Sequence, residues 1–247
     1  MSGLKPLVLR KQISADGSSV SNSVLGEVEW GRTAARFAVY GVGLLSISLG
    51  TVLQTESGLG VASLTCFATF AARALGTTLG VMIFVTYILY VSAQIIILHG
   101  HFHLRILLEM LFAFGMGYFV DMIANLVHLN VSNILVQIIC MLCALVVTAF
   151  GVTLMVGMDV VPNAPDGLVQ VLSGALKRPF GNIKVIFDLS HVFVSVIGSL
   201  MLFGDIEGFG LTTIVSALLL GRLINVMESF IGGRAKQIVF GGYNYTL

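Results

Sequence analysis

Apolar residues fill most of the chain in long runs separated by short polar punctuation. A helix needs about 20 apolar residues to cross a hydrocarbon layer, and six runs qualify: residues 33–55, 80–98, 104–127, 133–157, 181–203 and 209–231. Two further segments, GLGVASLTCFATFAARAL (58–75) and PNAPDGLVQVLSGAL (162–176), are helical in composition and read as half-spanning or re-entrant helices. The second opens on a proline, which the first helical position accepts. The pattern predicts an all-α polytopic membrane bundle with six spanning helices and two short ones. Eight crossings are the alternative, if the short helices pass right through.

Composition agrees with an integral membrane protein. Of 247 residues 57% are hydrophobic and 10% charged, and the mean hydropathy is +0.99, far from an ordinary soluble domain. The aqueous loops are too short for a folded catalytic domain, so function belongs in the bundle or at its rims. The net charge of +1 gives no reason to expect a nucleic-acid partner. The lipid bilayer is the expected surroundings. At the N-terminus Pro6, Arg10 and Lys11 interrupt any signal-peptide-like apolar stretch. Residues 1–32 read as a cytoplasmic tail with an interfacial segment, in which Trp30 suits the headgroup region, and residues 233–247 as a second cytoplasmic tail. Cys66, Cys140 and Cys143 all sit in apolar runs, where packing explains them better than metal or redox chemistry. No metal and no cofactor is expected.

Laid over itself at an offset of 101, the chain pairs Gly50 with Gly151, Leu53 with Leu154, Gly80 with Gly181, Val91 with Val192 and Ile96 with Ile197. After a three-residue insertion the offset is 104, pairing Gly100 with Gly204, Ala113 with Ala217 and Gly117 with Gly221. Residues 33–130 and 131–232 therefore read as two internal membrane repeats, each ordered span, short helix, span, span. Three true crossings per half make the repeats inverted; four make them parallel. VVPNAPDG in the second half occupies the place of SGLGVASLT in the first. Paired Gly/Pro-interrupted segments point to a transporter's binding site, because an interrupted helix leaves backbone groups that hydrocarbon cannot satisfy.

Gly58-Leu59-Gly60 in the first half and Pro165-Asp166 in the second carry a Gly-Leu-Gly, Pro, Asp pattern. With it, the chain resembles the YczE/YitT-like bacterial multi-pass membrane proteins over nearly its whole length after residue 33. Ser63 and Thr65 stand where those proteins commonly have Pro and Asp, and Val160 and Val161 replace the glycines of the second half. The resemblance implies a transporter-like protein of the bacterial cytoplasmic (inner) membrane, in which Asp166 alone carries an acidic role.

A charge at the bilayer centre costs about 2.5–3.5 kcal/mol on insertion scales, so it implies a partner or a function. Glu109, Asp121, Asp188, His191, Arg222 and Glu228 are such residues. Lys184, Asp188 and His191 share one helix face and read either as an internal ion pair or as a relay. Arg222 wants Asp121, Asp188 or, as a lesser choice, Glu228 as its counter-ion, or serves as a clamp on a substrate carboxylate. His99, His101 and His103 alternate at a turn but lack a companion Cys or Asp for a tetrahedral metal set. Glu56 and Asp159 flank the two breaks as interfacial carboxylates or as gates. Gly43, Ser46 and Gly50 form a small-residue face, for packing within the bundle or for a homodimer. G-x-S-x-G, H-E-x-x-H and P-loop patterns are absent, so an enzyme is not expected.

The resulting expectation is a transporter of a small molecule or ion by alternating access of the two halves. Asp166 and Asn163, with Ser63 and Thr65 opposite, contact the substrate or a coupling ion; Asp188, His191, Arg222 and Asp121 are further candidates. The alternative is a non-transporting regulatory or substrate-capture subunit that acts with a partner protein. The positive-inside rule places twelve of the thirteen Lys and Arg residues inside, with both termini cytoplasmic. Cysteines introduced at Ser18 and Tyr245 should therefore resist an impermeant thiol reagent applied to intact cells; labelling of either one would overturn this topology.

Overall fold

A computed structural model describes residues 22–98, 104–129, 131–158, 160–161 and 163–232, with the backbone alone for 22–32, 104–105, 107 and 232. His99–His103, Asp159, Pro162 and most of both tails lie outside these residues, as does the Trp30 side chain. Eight α-helices occur among the described residues: α1 (Asn22–Glu56), α2 (Ser63–Leu75), α3 (Leu79–Ile97), α4 (Leu104–Ala124), α5 (Ile134–Met158), α6 (Ala164–Leu176), α7 (Phe180–Phe203) and α8 (Leu211–Met227). A short π-helix, Glu228–Gly232, follows. Helix α1 starts at Asn22, inside the stretch read as a tail. Five helices are long and apolar enough to cross a membrane. Helix α4, with 21 residues, has the length of a crossing and carries two acidic groups, Glu109 and Asp121. The chain is a polytopic helical membrane bundle.

Element boundaries recur at a constant separation. Helix α2 runs from 63 to 75 and α6 from 164 to 176, so both ends are 101 apart, as are the starts of α3 and α7 at 79 and 180. Both short helices end on a left-handed residue, Gly76 (φ 61°) and Lys177 (φ 52°). Lys177 adopts this costly conformation without glycine's freedom. It thereby makes the same turn into the next helix as Gly76, donating its N–H to the Gly174 carbonyl.

Helices α1 and α5 are antiparallel at the centre. Arg36 donates to the Met158 carbonyl at 2.8 Å, a Cβ on Gly43 would meet the Gly151 carbonyl at 2.8 Å, and one on Gly50 would meet the Ala144 carbonyl at 3.0 Å. The Gly43–Gly151 and Gly50–Ala144 contacts exchange with one another under the 101-residue offset. Only small residues allow backbones so close. Of the small-residue face, Gly43 and Gly50 thus pack within the bundle, while the Ser46 hydroxyl turns back to the Val42 carbonyl on an exposed face. Arg36 also places a positive charge on the negative end of α5.

End-to-end contacts order the helix ends between two faces. Helix α7 starts just after Lys177 and ends beside Arg73, whose guanidinium bonds Asp205 at 3.0 Å. At 1.5 Å per residue its 24 residues separate these two points by roughly 36 Å. Arg73 leads into Thr78, which donates to Asp121 at the end of α4, and Leu129 beyond it donates to Glu56 at the end of α1. The chain thus leaves α1 and enters α3 at the same face, the geometry of a re-entrant α2. On this geometry cysteines at Arg73 and Lys177 label from opposite sides of the membrane. Labelling of both from one side would instead require four crossings in each half.

Candidate functional site

The break between α1 and α2 is closed by protein. Gly58 (φ 70°) and Gly60 (φ 94°) let the backbone turn, and a Cβ on Gly60 would meet the Gly210 nitrogen at 2.6 Å. The unwound strand pairs with the α7–α8 loop: Val61 donates to the Gly208 carbonyl at 2.8 Å and Thr212 to the Leu59 carbonyl at 2.9 Å. The buried Gln54 accepts from the Ala62 N–H at 2.8 Å. The Thr213 hydroxyl donates to the Val61 carbonyl at 2.6 Å, and Cys66 packs beside it. Here protein groups take up the Val61 and Ala62 N–H and the Leu59 and Val61 carbonyls. Ser63 and Thr65 sit in the first turn of α2, and α2 does not pack along α6. They therefore do not form the opposite wall of a shared site with Asn163 and Asp166.

The start of α6 is different. Asn163 is its N-cap but makes no capping side-chain bond; its side chain instead meets the Tyr87 hydroxyl of α3. Gln94 of α3 donates to the Ala164 carbonyl at 3.4 Å and to Glu109 Oε2 of α4 at 2.7 Å. Glu109 is only 3% exposed and Gln94 1%. Gly167 brings the first turn of α6 against this pair: a Cβ there would stand 3.0 Å from Glu109 Oε1 and 3.1 Å from the Gln94 carbonyl oxygen. A cavity of about 10 Å³, room for about one water molecule, is lined by Glu109, Tyr40, Tyr87, Phe112, Asn163 and apolar neighbours. No described cation contacts Glu109: the ion pairs of Lys184 and Arg73 go elsewhere.

On the other flank of α6, Asp166 is an ion-pair partner and not a cap. Lys184 of α7 lies 2.8 Å from Asp166 and 3.4 Å from Asp188, so two carboxylates share one ammonium. All three groups are partly exposed. One turn further on, His191 Nδ1 lies 2.7 Å from the Phe187 carbonyl and Nε2 lies 2.5 Å from the Tyr90 hydroxyl. A carbonyl only accepts, so Nδ1 carries the proton, and a neutral ring accepts from Tyr90 at Nε2. Tyr90 and His191 are themselves 101 residues apart. Phe67 of α2 stacks edge-on to His191, while Leu168 of α6 packs in the cluster of Tyr90. The pair therefore stands between the two short helices.

Two expected assignments change. Asp121 is not a counter-ion for Arg222: it accepts from the Gly80 N–H at 2.8 Å and from the Thr78 hydroxyl at 2.6 Å, tying the end of α4 to the positive start of α3. Asp188 is taken by Lys184. Arg222 is exposed on α8, which suits a long side chain reaching the interface. Glu56 holds the Leu129 N–H at 2.6 Å, a structural tie across the loop end. At the same face Asp205 and Glu207 flank Arg73, and these carboxylates, Glu207 foremost, hold the guanidinium pKa above its ordinary value. The three cysteines are free thiols. Among the described residues no group of His, Cys, Asp and Glu could hold a metal ion.

Tyr40, Tyr87 and Gln94 were not candidates from sequence, because an uncharged polar residue in an apolar run gives no spacing signal. Glu109 stood out only as a costly charge.

These features define a helical membrane protein with re-entrant segments and a buried polar centre. The chain belongs to DUF6198, a family of unknown function, whose model matches residues 34–229. It is also similar to the uncharacterized protein YyaS of Bacillus subtilis, with 22% identity over 192 residues, covering 77% of this chain and 91% of that protein. No solved structure matches.

The double acceptor role of Asp121 sets a stability expectation. Asp121→Ala should lower the unfolding free energy by about 1–2 kcal/mol, through loss of the cap on α3. Asp121→Asn should cost less. Thermal unfolding in detergent reads both, and a loss from Asn as large as that from Ala would contradict a capping role.

Proposed function

We propose that this protein is a transporter of a small cationic solute, built from two inverted halves and working by alternating access. The observation that carries this reading is Glu109, a carboxylate buried in the bundle against the start of a re-entrant helix, to which, among the described residues, only the Gln94 amide is bonded. A bare carboxylate is expensive there, so it holds a proton or a positively charged guest. Tyr40, Tyr87 and Phe112 around the same cavity supply aromatic faces that favour a cation. Asp166 and Asp188 outnumber Lys184 on the neighbouring face of α6, which makes that approach attractive to cations.

The recurrence of elements at 101 residues and the antiparallel α1–α5 pair support inverted halves, the arrangement from which alternating access follows. We place the protein in a bacterial cytoplasmic membrane with both termini inside, in kinship with YczE/YitT-like proteins, as a carrier and not an enzyme. Asn163 would contact the solute at the α6 start, with Asp166 and Asp188 at the approach and His191 beyond them.

Thermal-shift screening of the purified protein against amines, quaternary ammonium compounds, amino acids and inorganic cations tests this. Cationic members should raise the unfolding temperature, and Glu109→Gln, an isosteric change that keeps a bond to Gln94, should weaken their binding at least thirtyfold, about 2 kcal/mol. Hits confined to anions, or cation binding unchanged in Glu109→Gln, would refute the assignment.

A further inference from the structure

The two halves are packed alike except at one seam. Helices α3 and α4 pack closely near the start of α3: a Cβ on Gly80 would collide with the Gly117 carbonyl, and one on Gly117 would stand 2.5 Å from the Gly80 carbonyl. Phe84 meets Phe114 with ring centroids 5.8 Å apart, and Asp121 caps the Gly80 N–H. The corresponding positions in the second half are Gly181, Gly221, Val185, Leu218 and Asn225. They carry the same complement of parts but do not meet. Neither Gly181 nor Gly221 has anything within 4 Å of a built Cβ. Val185 is 58% and Leu218 65% exposed, and α7 begins at Pro179 with no side-chain cap.

We infer that the α7–α8 seam is a gate, open in this structure, that closes in a second state by packing Gly181 on Gly221 and capping the start of α7 with the Asn225 side chain. Three separate features fit such a closure: a glycine pair, an apolar pair and a capping amide, each at the position that works in the first half. Helix α8 already occupies the place of α4 in its other packings, on α5 as α4 lies on α1 and on α2 as α4 lies on α6. Closure therefore requires a tilt of α7 toward α8 and no new topology. The two seams lie at opposite faces of the bundle, since the starts of α3 and α7 do. In the orientation proposed above, the closed α3–α4 seam is external and the open α7–α8 seam cytoplasmic. The partly exposed Asp166–Lys184–Asp188 group joins the start of α6 to the first half of α7, beside the open seam. Exchange of the open and closed seams would turn the site from one side to the other. This deepens the transporter reading by naming its moving parts, while its test needs no substrate.

The test is disulfide trapping in native membranes, with Cys66, Cys140 and Cys143 replaced by serine. Val185→Cys with Leu218→Cys probes the gate, and Phe84→Cys with Phe114→Cys is the reference seam. Both pairs should form disulfides within one chain under mild oxidation, the gate pair more slowly. Asn225→Asp should speed gate trapping about fivefold by strengthening the cap, and Asn225→Leu should slow it. A disulfide linking two chains at Val185 and Leu218 would assign the seam to a second copy and overturn the inference. So would reference trapping without gate trapping, or failure of both pairs. Should the cysteine-free chain not express, mass-spectrometric mapping reads the same pairs beside the native cysteines. Failure here with intact Glu109-dependent cation binding rejects the gate alone; loss of that binding with intact trapping rejects the site alone.

Discussion

Hydrocarbon offers a broken helix nothing to bond to, so every interruption in this bundle must find its partners within the protein. The first break finds them in a second unwound segment. Leu59 and Val61 exchange backbone bonds with Gly208 and Thr212, and Gly60 is there because any side chain would hold the strands apart. Gln54 takes the Ala62 N–H and Thr213 the Val61 carbonyl. The second break is finished with side chains that carry chemistry: Tyr40 donating to Val161, Gln94 to Ala164, and Glu109 behind Gln94. One constraint thus yields a sealed joint in one half and a polar chamber in the other.

The charges follow the same logic. Lys184 sits between two carboxylates because a lone ammonium at that depth would be costly, and one cation relieves two anions less than fully. Asp121 is stabilised by the N–H groups at the start of α3, which need an acceptor as much as it needs donors. Arg222, on a helix with little protein around it, relies on the length of its side chain to reach polar surroundings. Among the described residues Glu109 has none of these remedies, only the Gln94 amide, and that separates it from the rest.

The crossing helices were legible because their length is imposed by bilayer thickness, and the short helices because Gly58, Gly60 and Pro165 mark the ends of regular backbone. The offset of 101 read from scattered glycines and aliphatics reappears in the ends of α2 and α6. Asp166 and Asp188 meet at Lys184, while Asn163 faces Tyr87 and His191 lies further along α7 against Tyr90. The pairing of Arg222 was not legible, since it depends on how α8 tilts and not on which residues it holds. Ser63 and Thr65 were misplaced because a gap that looks open in sequence was filled by the loop at 204–210, far away along the chain.

The contact between Tyr90 and His191 has a consequence for the symmetry of the molecule. In the inverted arrangement proposed above, Tyr90 and His191 hold equivalent positions that meet beside the two-fold axis, and in an assembly of identical chains the residue there would face its own copy. A hydrogen bond has a direction, with one side giving and the other receiving, so it cannot itself be two-fold symmetric. Joining both halves in one chain removes the restriction and allows a phenol to face an imidazole. Each can then vary without its copy, which makes this axial position a place where the halves can diverge in chemistry while the backbone around them stays alike.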